Sequence, residues 1–384
     1  MNAVPPRAAL PPHVQRLLDA LDAPAVTRDW PAEHWDVTVR TARLSRLLAV
    51  LAHRVRDTGI AELLIEPVRR QLDGAIAESR FLTQMQRVEL ARASRVLTPI
   101  GIELVLLKGA AYVAQALPIA VGRIPNDVDV LVDPRQLGDA EAALLAAGWR
   151  FDEDIDAYDQ RYYRAWSHEL PPLRYEGFVL ELDLHHAILP PTTRVSPPTA
   201  MLLPHTRAIV GTAWRALAPA DQVLHMAAHV FIDSDCTSRL RDLVDIDALL
   251  THFRTAESDF ISTLAERADE LRLTPALAYA LAFVRAWFKH APEQDASLAE
   301  LDSRCAGKFR RSPAVLRLAS RTLSPPHPDS EPSASERWAT RLLALRYHWW
   351  RMPLPLLAYH TLMKARRSLV LWWKRPREAT GDPA

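Results

Sequence analysis

Pro99 and Gly101 end a long helical pattern, and two short apolar runs follow, IELVLL (102–107) and VDVLV (128–132). Helix breakers ahead of short runs rich in β-branched residues dictate a change from helix to sheet. Lys108-Gly109 closes the first run, and Asp127 and Asp129 interleave with the valines of the second. On a strand the two aspartates share one face, roughly 6–7 Å apart, while Val128 and Val130 turn into the core. Such carboxylates repel each other unless they are solvated, protonated or bridged by cations. A pair of Mg²⁺ ions about 3.5–4 Å apart meets that demand. An Asp-x-Asp alone is more often a solvated turn or strand edge, so its surroundings decide its meaning.

Those surroundings favour phosphate. A strand, then Lys108-Gly109, then a helix through AYVAQAL, offers backbone N–H groups and a positive dipole end to an anion. Gly109 permits close approach and Lys108 adds a point charge. No GxxxxGK[ST] motif is present, so the turn is not a Walker A loop. Arg123 either binds a triphosphate or pairs with the aspartates. The segment LELDLHH (180–186) supplies a third carboxylate, with Glu181 and Asp183 on one strand face and Leu180, Leu182 and Leu184 on the other. Alternation offers both acids and does not choose between them. His185 is assigned to the leucine face and His186 to the acid face.

Six of the 11 glycines lie between 101 and 177, where turns between strands need them. Residues 1–12, rich in Pro and Ala, read as a disordered leader, and 13–98 as an N-terminal helical region. In the latter Leu44, Leu47, Leu48, Leu51 and Val55 form one helical stripe, and Phe81, Met85 and Val88 repeat it. A mixed α and β core spans 99–198, with Asp133 as N-cap, Pro134 at the first helical position and Gly148 past the end of its central helix. PPTTRVSPP (190–198) closes it. A helical domain follows over 199–323, an exposed linker over 324–336, and a basic, Trp-rich helical tail over 337–384.

Net charge is +1, from 47 Lys and Arg against 46 Asp and Glu, so there is no global field to gather nucleic acid. Two cysteines without Cys-x-x-Cys spacing, and an N-terminus lacking an apolar signal segment, fit a cytoplasmic protein. His225 and His229 have the i, i+4 spacing that can share a zinc ion, but the glutamate of HExxH is absent. His168-Glu169 and Asp245 are read as polar neighbours of the site or as the ordinary polarity of a helix and a loop. From Arg337 to Arg377 there are ten Lys or Arg, no Asp or Glu, and five of the 11 tryptophans. This composition suits an anionic membrane surface at the inner face, or a polyanion, through residues 337–377. The competing arrangement packs Trp349, Trp350, Leu354, Leu357, Trp372 and Trp373 onto the body.

In combination, LLKGAAY, GRIPNDVDVLVD and ELDLHHAIL resemble the uncharacterised nucleotidyltransferases of the polymerase-β-like superfamily. The resemblance covers mainly residues 100–190, extending weakly to LHMAAH (224–229) and RDLVDIDALL (241–250). It implies an α+β fold, a small mixed sheet flanked by N- and C-terminal helical regions. It also implies metal ligation by Asp127, Asp129 and Asp183, and a phosphate-binding turn at Lys108 and Gly109. The expected activity is two-metal (Mg²⁺) transfer of a nucleoside monophosphate from ATP or another NTP to an acceptor hydroxyl. The alternative is an inactive nucleotide-sensing or scaffold protein of the same fold.

Overall fold

The computed structural model describes residues 4–152 and 155–374, with positions 364, 365 and 367–374 described by backbone alone. Residues 1–3 of the expected leader, residues 375–384 of the expected tail, and the side chains of Trp372 and Trp373 lie outside the described residues.

Seven strands form one mixed sheet: β1 (Leu104–Leu106), β2 (Asp127–Leu131), β3 (Trp149–Phe151), β4 (Leu173–Tyr175), β5 (Glu181–His185), β6 (Arg207–Ala208) and β7 (Trp214–Ala216). Their order is β3-β4-β5-β2-β1-β7-β6. At the centre β2 runs parallel to β5 and antiparallel to β1, with Asp127 opposite Glu181, Asp129 opposite Asp183 and Leu131 opposite His185. Val128, Val130, Leu182 and Leu184 are buried on the other face. The α+β class stands. The sheet continues beyond the expected boundary at Pro198, because β7 pairs in parallel with β1. Strands of two and three residues carry too little alternation to be seen in sequence.

Before the sheet come α1 (Pro12–Asp22), α2 (Ala32–Leu44), α3 (Leu48–Asp57) and α4 (Glu66–Leu97). Within it lie α5 (Lys108–Ala114), α6 (Leu137–Ala146) and α7 (Ala157–Trp166). After it come α8 (Pro219–Phe231), α9 (Leu240–Ala256), α10 (Phe260–Glu270), α11 (Thr274–Trp287), α12 (Pro292–Lys308), α13 (Pro313–Thr322), α14 (Ala334–Arg351) and α15 (Leu354–Lys374). The helix α4 braces the sheet: Gln86 Nε2 donates to the Asp127 carbonyl at 3.0 Å, and Glu89 accepts from Trp149 Nε1 at 2.7 Å.

Four expectations need correction. Residues 4–12 are ordered: Val4 and Leu10 are buried, and Arg7 pairs with Asp19 at 2.9 Å and with Asp22. Two apolar anchors and a part-buried, paired guanidinium suffice to fix a segment whose prolines already restrict it. The stripe from Leu44 to Val55 is not one helix, because Arg46 adopts φ 55 and separates α2 from α3, leaving Leu44 about half exposed. On α4 the buried stripe runs through Ile76, Ser79, Gln86, Leu90, Ala93 and Leu97, and Phe81 faces solvent. The 324–336 segment is packed at its start, where Ser324 and Pro325 are buried and His13 Nε2 lies 3.2 Å from the Pro325 carbonyl.

Candidate active site

The parallel register of β2 and β5 sets the centre of the site. Ligand atoms of Asp127, Asp129 and Asp183 lie within 4.8 Å of one another. Asp183 Oδ1 is buried without a hydrogen-bond partner. Glu181, the other acid on that face, forms an ion pair with Arg174 and leaves the centre to Asp183.

Asp129 is the most constrained of the three. Its Oδ1 accepts from Lys108 Nζ at 3.1 Å and from His185 Nε2 at 2.9 Å. Burial pushes its carboxyl up, but Lys108 and His185 outweigh that and hold it well below the usual range. Repulsion from Asp129, with burial second, raises Asp127 to about 6. Burial, then Glu169 and the two other aspartates, push Asp183 well above the carboxylate range. Burial alone would lower Lys108, yet Asp129, Asp127 and Glu169 reverse this and keep it charged. A site that ionises one carboxyl readily and two reluctantly is short of positive charge. An oxygen-liganded divalent cation supplies that charge, and the unpartnered Asp183 Oδ1 is a donor for it.

His185 does not take the leucine face. In a period-two strand 181, 183 and 185 share a side, so the assignment was one residue out of step, and the imidazole reaches Asp129 across the ladder. His186 is the residue that leaves the acid face. Glu169 stands 3.3 Å from His185 Nε2 and His168 lies behind it. His168, Glu169 and His185 form the other group of potential ligands converging within 4.8 Å among the described residues. His225 and His229 belong to neither group; both are held neutral by burial, and His229 Nε2 faces Arg239 Nη1 at 3.4 Å.

Lys108 sits at φ 42, a left-handed conformation costing about 1–3 kcal/mol for a residue with a Cβ. This kink at the start of the seven-residue α5 accompanies the contact of Nζ with Asp129. Arg123 does not pair with Asp127 or Asp129. It is buried in an ion pair with Asp245 of α9. A Cβ on Gly109 would stand 3.0 Å from Arg123 Nε, so the missing side chain makes room for that guanidinium.

Beside the aspartates is a cavity of about 230 Å³, lined by Lys108, Gly109, Arg123, Asp127 and Asp129 together with Arg46, Gln86, Met226, His229, Arg239, Arg241 and Asp242. Arg46, Arg239 and Arg241 escaped the sequence reading. Arg46 reaches the cavity through the break between α2 and α3, and Arg239 and Arg241 flank the start of α9, where arginines look like ordinary solvated polarity. Two of the three converging carboxylates, Asp127 and Asp129, line this cavity with five basic side chains, of which Lys108 pairs with Asp129, Arg123 with Asp245, and Arg239 and Arg241 approach Asp242. Such a lining can hold a metal-bound polyphosphate.

A family model described as an uncharacterised nucleotidyltransferase matches residues 31–289, which is 259 of the 384 residues. The chain belongs to this family. The nucleotidyltransferase match spans all the cavity residues, from Arg46 to Asp242, and stops before α12 and the basic tail. Neither a search of curated proteins nor one of solved structures returned a match.

Proposed function

We propose that the protein moves a nucleoside monophosphate from an NTP to an acceptor hydroxyl, with Mg²⁺ held by Asp127, Asp129 and Asp183. The observation that carries this reading is the convergence of those three carboxylates beside the cavity of Arg46, Arg239 and Arg241. Mg²⁺ at such a site neutralises phosphate oxygens and orients the in-line attack. The chain's own residues do the rest. Arg46, Arg239 and Arg241 bind the polyphosphate, and Lys108 and His185 hold the Asp129 carboxylate in one orientation. Asp183, whose Oδ1 has no hydrogen-bond partner, takes the proton of the attacking hydroxyl. A new bond forms between the acceptor oxygen and the α-phosphorus, the bond to the bridging oxygen breaks, and pyrophosphate leaves.

Replacing Asp127 by Asn tests the reading at little cost to folding, since repulsion from Asp129 and burial outweigh the attraction of Lys108, His185 and Arg241 for this carboxylate. Mg²⁺-dependent transfer of label from an α-labelled NTP to any acceptor should be lost, while the melting temperature of the metal-free protein should not fall. Unchanged transfer would remove Asp127 from the metal site. The paired states of Lys108 and Arg123 also suit a nucleotide sensor. Calorimetry showing tight NTP binding with no turnover over a panel of metabolite and RNA acceptors would favour that role.

A further inference from the structure

The helix α14 has one face docked and one bare. Ala339 and Leu343 are buried, Arg346 donates to the Phe231 carbonyl at 2.9 Å, and Arg351 reaches Asp233 at 3.2 Å and the Tyr162 hydroxyl at 2.7 Å. On the adjoining face Trp338, Leu342, Leu345 and Trp349 are between 46 and 66% exposed. Their spacing of four, three and four residues is a single helical stripe. Arg341 lies in the same stripe, with its guanidinium 5.3 Å from the Trp338 ring, and Arg194 stands 4.4 Å from the Trp349 ring. The pattern continues on α15, where Leu354, Leu362 and Arg366 are exposed.

We infer that this face of α14, extended by α15, docks on the surface of an anionic lipid bilayer. Charge complementarity selects the partner: Arg346 and Arg351 turn to the body, and the sequence from Arg337 to Arg377 carries eight further Lys or Arg and no Asp or Glu. A second copy of the chain meeting this face on itself would oppose like charges with no acid in the segment to pair them. Single-stranded nucleic acid stacks on flat rings, and the stripe places aliphatic Leu342 and Leu345 between its tryptophans. Acyl chains accept leucine, the headgroup boundary accepts tryptophan, and lipid phosphate accepts arginine. The helices lie on such a surface, since among the described residues no helix is long and apolar enough to cross a membrane. The docked face holds Arg351 on Asp233, which lies 3.9 Å from His168 in the group with Glu169 and His185.

Flotation of the full-length protein with vesicles of equal parts phosphatidylglycerol and phosphatidylcholine, and with phosphatidylcholine alone, tests the inference. Binding is expected only with the anionic vesicles and should weaken as salt rises. Arg341→Glu with Arg366→Glu should lower affinity about tenfold or more. Leu342→Gln with Leu345→Gln should do the same, and because all four side chains are exposed the melting curves should match wild type. Absence of flotation with anionic vesicles, equal flotation with neutral ones, or binding that neither double variant changes would overturn it. So would a single-stranded oligonucleotide binding the stripe in place of vesicles, or a dimer that Leu342→Gln with Leu345→Gln dissolves.

Discussion

The imidazole of His185 donates to Asp129 Oδ1 at 2.9 Å across the β2–β5 ladder, the same oxygen that accepts from Lys108. One carboxylate oxygen is thereby saturated, and neither bond falls on Oδ2. His185→Ala should weaken Mg²⁺ binding about 10–100-fold, the usual effect of removing a group that orients a metal ligand. His185→Gln, which keeps a donor, should recover part of the loss. Titration calorimetry with Mg²⁺ and Mn²⁺ measures both.

Removing one partner of the Arg123–Asp245 pair strands a charge in a buried place. Asp245→Ala should cost about 3–5 kcal/mol in urea unfolding. The double change Arg123→Met with Asp245→Leu should restore most of it, because an apolar pair of similar size has no desolvation penalty. NTP binding would still suffer, since Arg123 also lines the cavity.

Stability should depend on pH through the site itself. Asp127, raised to about 6, and Asp183, raised well above the usual range by burial and its acidic neighbours, hold protons longer in the folded chain than in the unfolded one. Such groups favour folding fully below the ordinary carboxyl value of about 3.9, and the contribution is lost as pH rises through the folded values. Asp129, held low, acts in the opposite sense only in more acid solution. The metal-free protein should therefore lose stability from Asp127 as pH rises from about 4 through about 6, and from Asp183 as pH rises above the ordinary carboxylate range. Mg²⁺ competes with those protons, so its stabilising effect should be larger at about pH 8 than at about pH 5. Melting curves with and without Mg²⁺ check both trends.

Gly122 is the least replaceable glycine near the site. Its φ is +75, and a Cβ there would stand 2.6 Å from the Ala49 carbonyl carbon and the Val50 nitrogen, backbone atoms that cannot rotate away. Gly122→Ala should cost about 2–4 kcal/mol through strain and overpacking. It should also disturb Arg123, the next residue, so loss of NTP affinity should accompany the fall in urea midpoint.

Much of the site was legible because its centre is local. Asp127 and Asp129 belong to one strand, and the acidic partner strand showed its alternation clearly enough to offer Asp183. The choice of Asp183 over Glu181 depended on register and on Arg174, neither of which a single strand records. Arg123 and Asp245 are 122 residues apart, and Arg46 enters through a left-handed turn inside an apolar stripe that reads as unbroken helix. The order of residues 4–12 does not show in sequence, because Pro and Ala say little about two buried anchors, Val4 and Leu10. Strands β6 and β7 are too short to show a period of two. What sequence conveys here is the chemistry of adjacent residues; what it withholds is which distant arginine arrives beside them.

The most direct test of the central claim compares the fate of two labels. With Mg²⁺ and a suitable acceptor, label at the α-phosphate of the NTP should enter the product, and label at the γ-phosphate should leave entirely as pyrophosphate, with both signals lost in Asp183→Asn. Transfer of the γ-label to the acceptor, or α-label transfer that persists in Asp183→Asn, would contradict nucleotidyl transfer by the Asp127, Asp129 and Asp183 site.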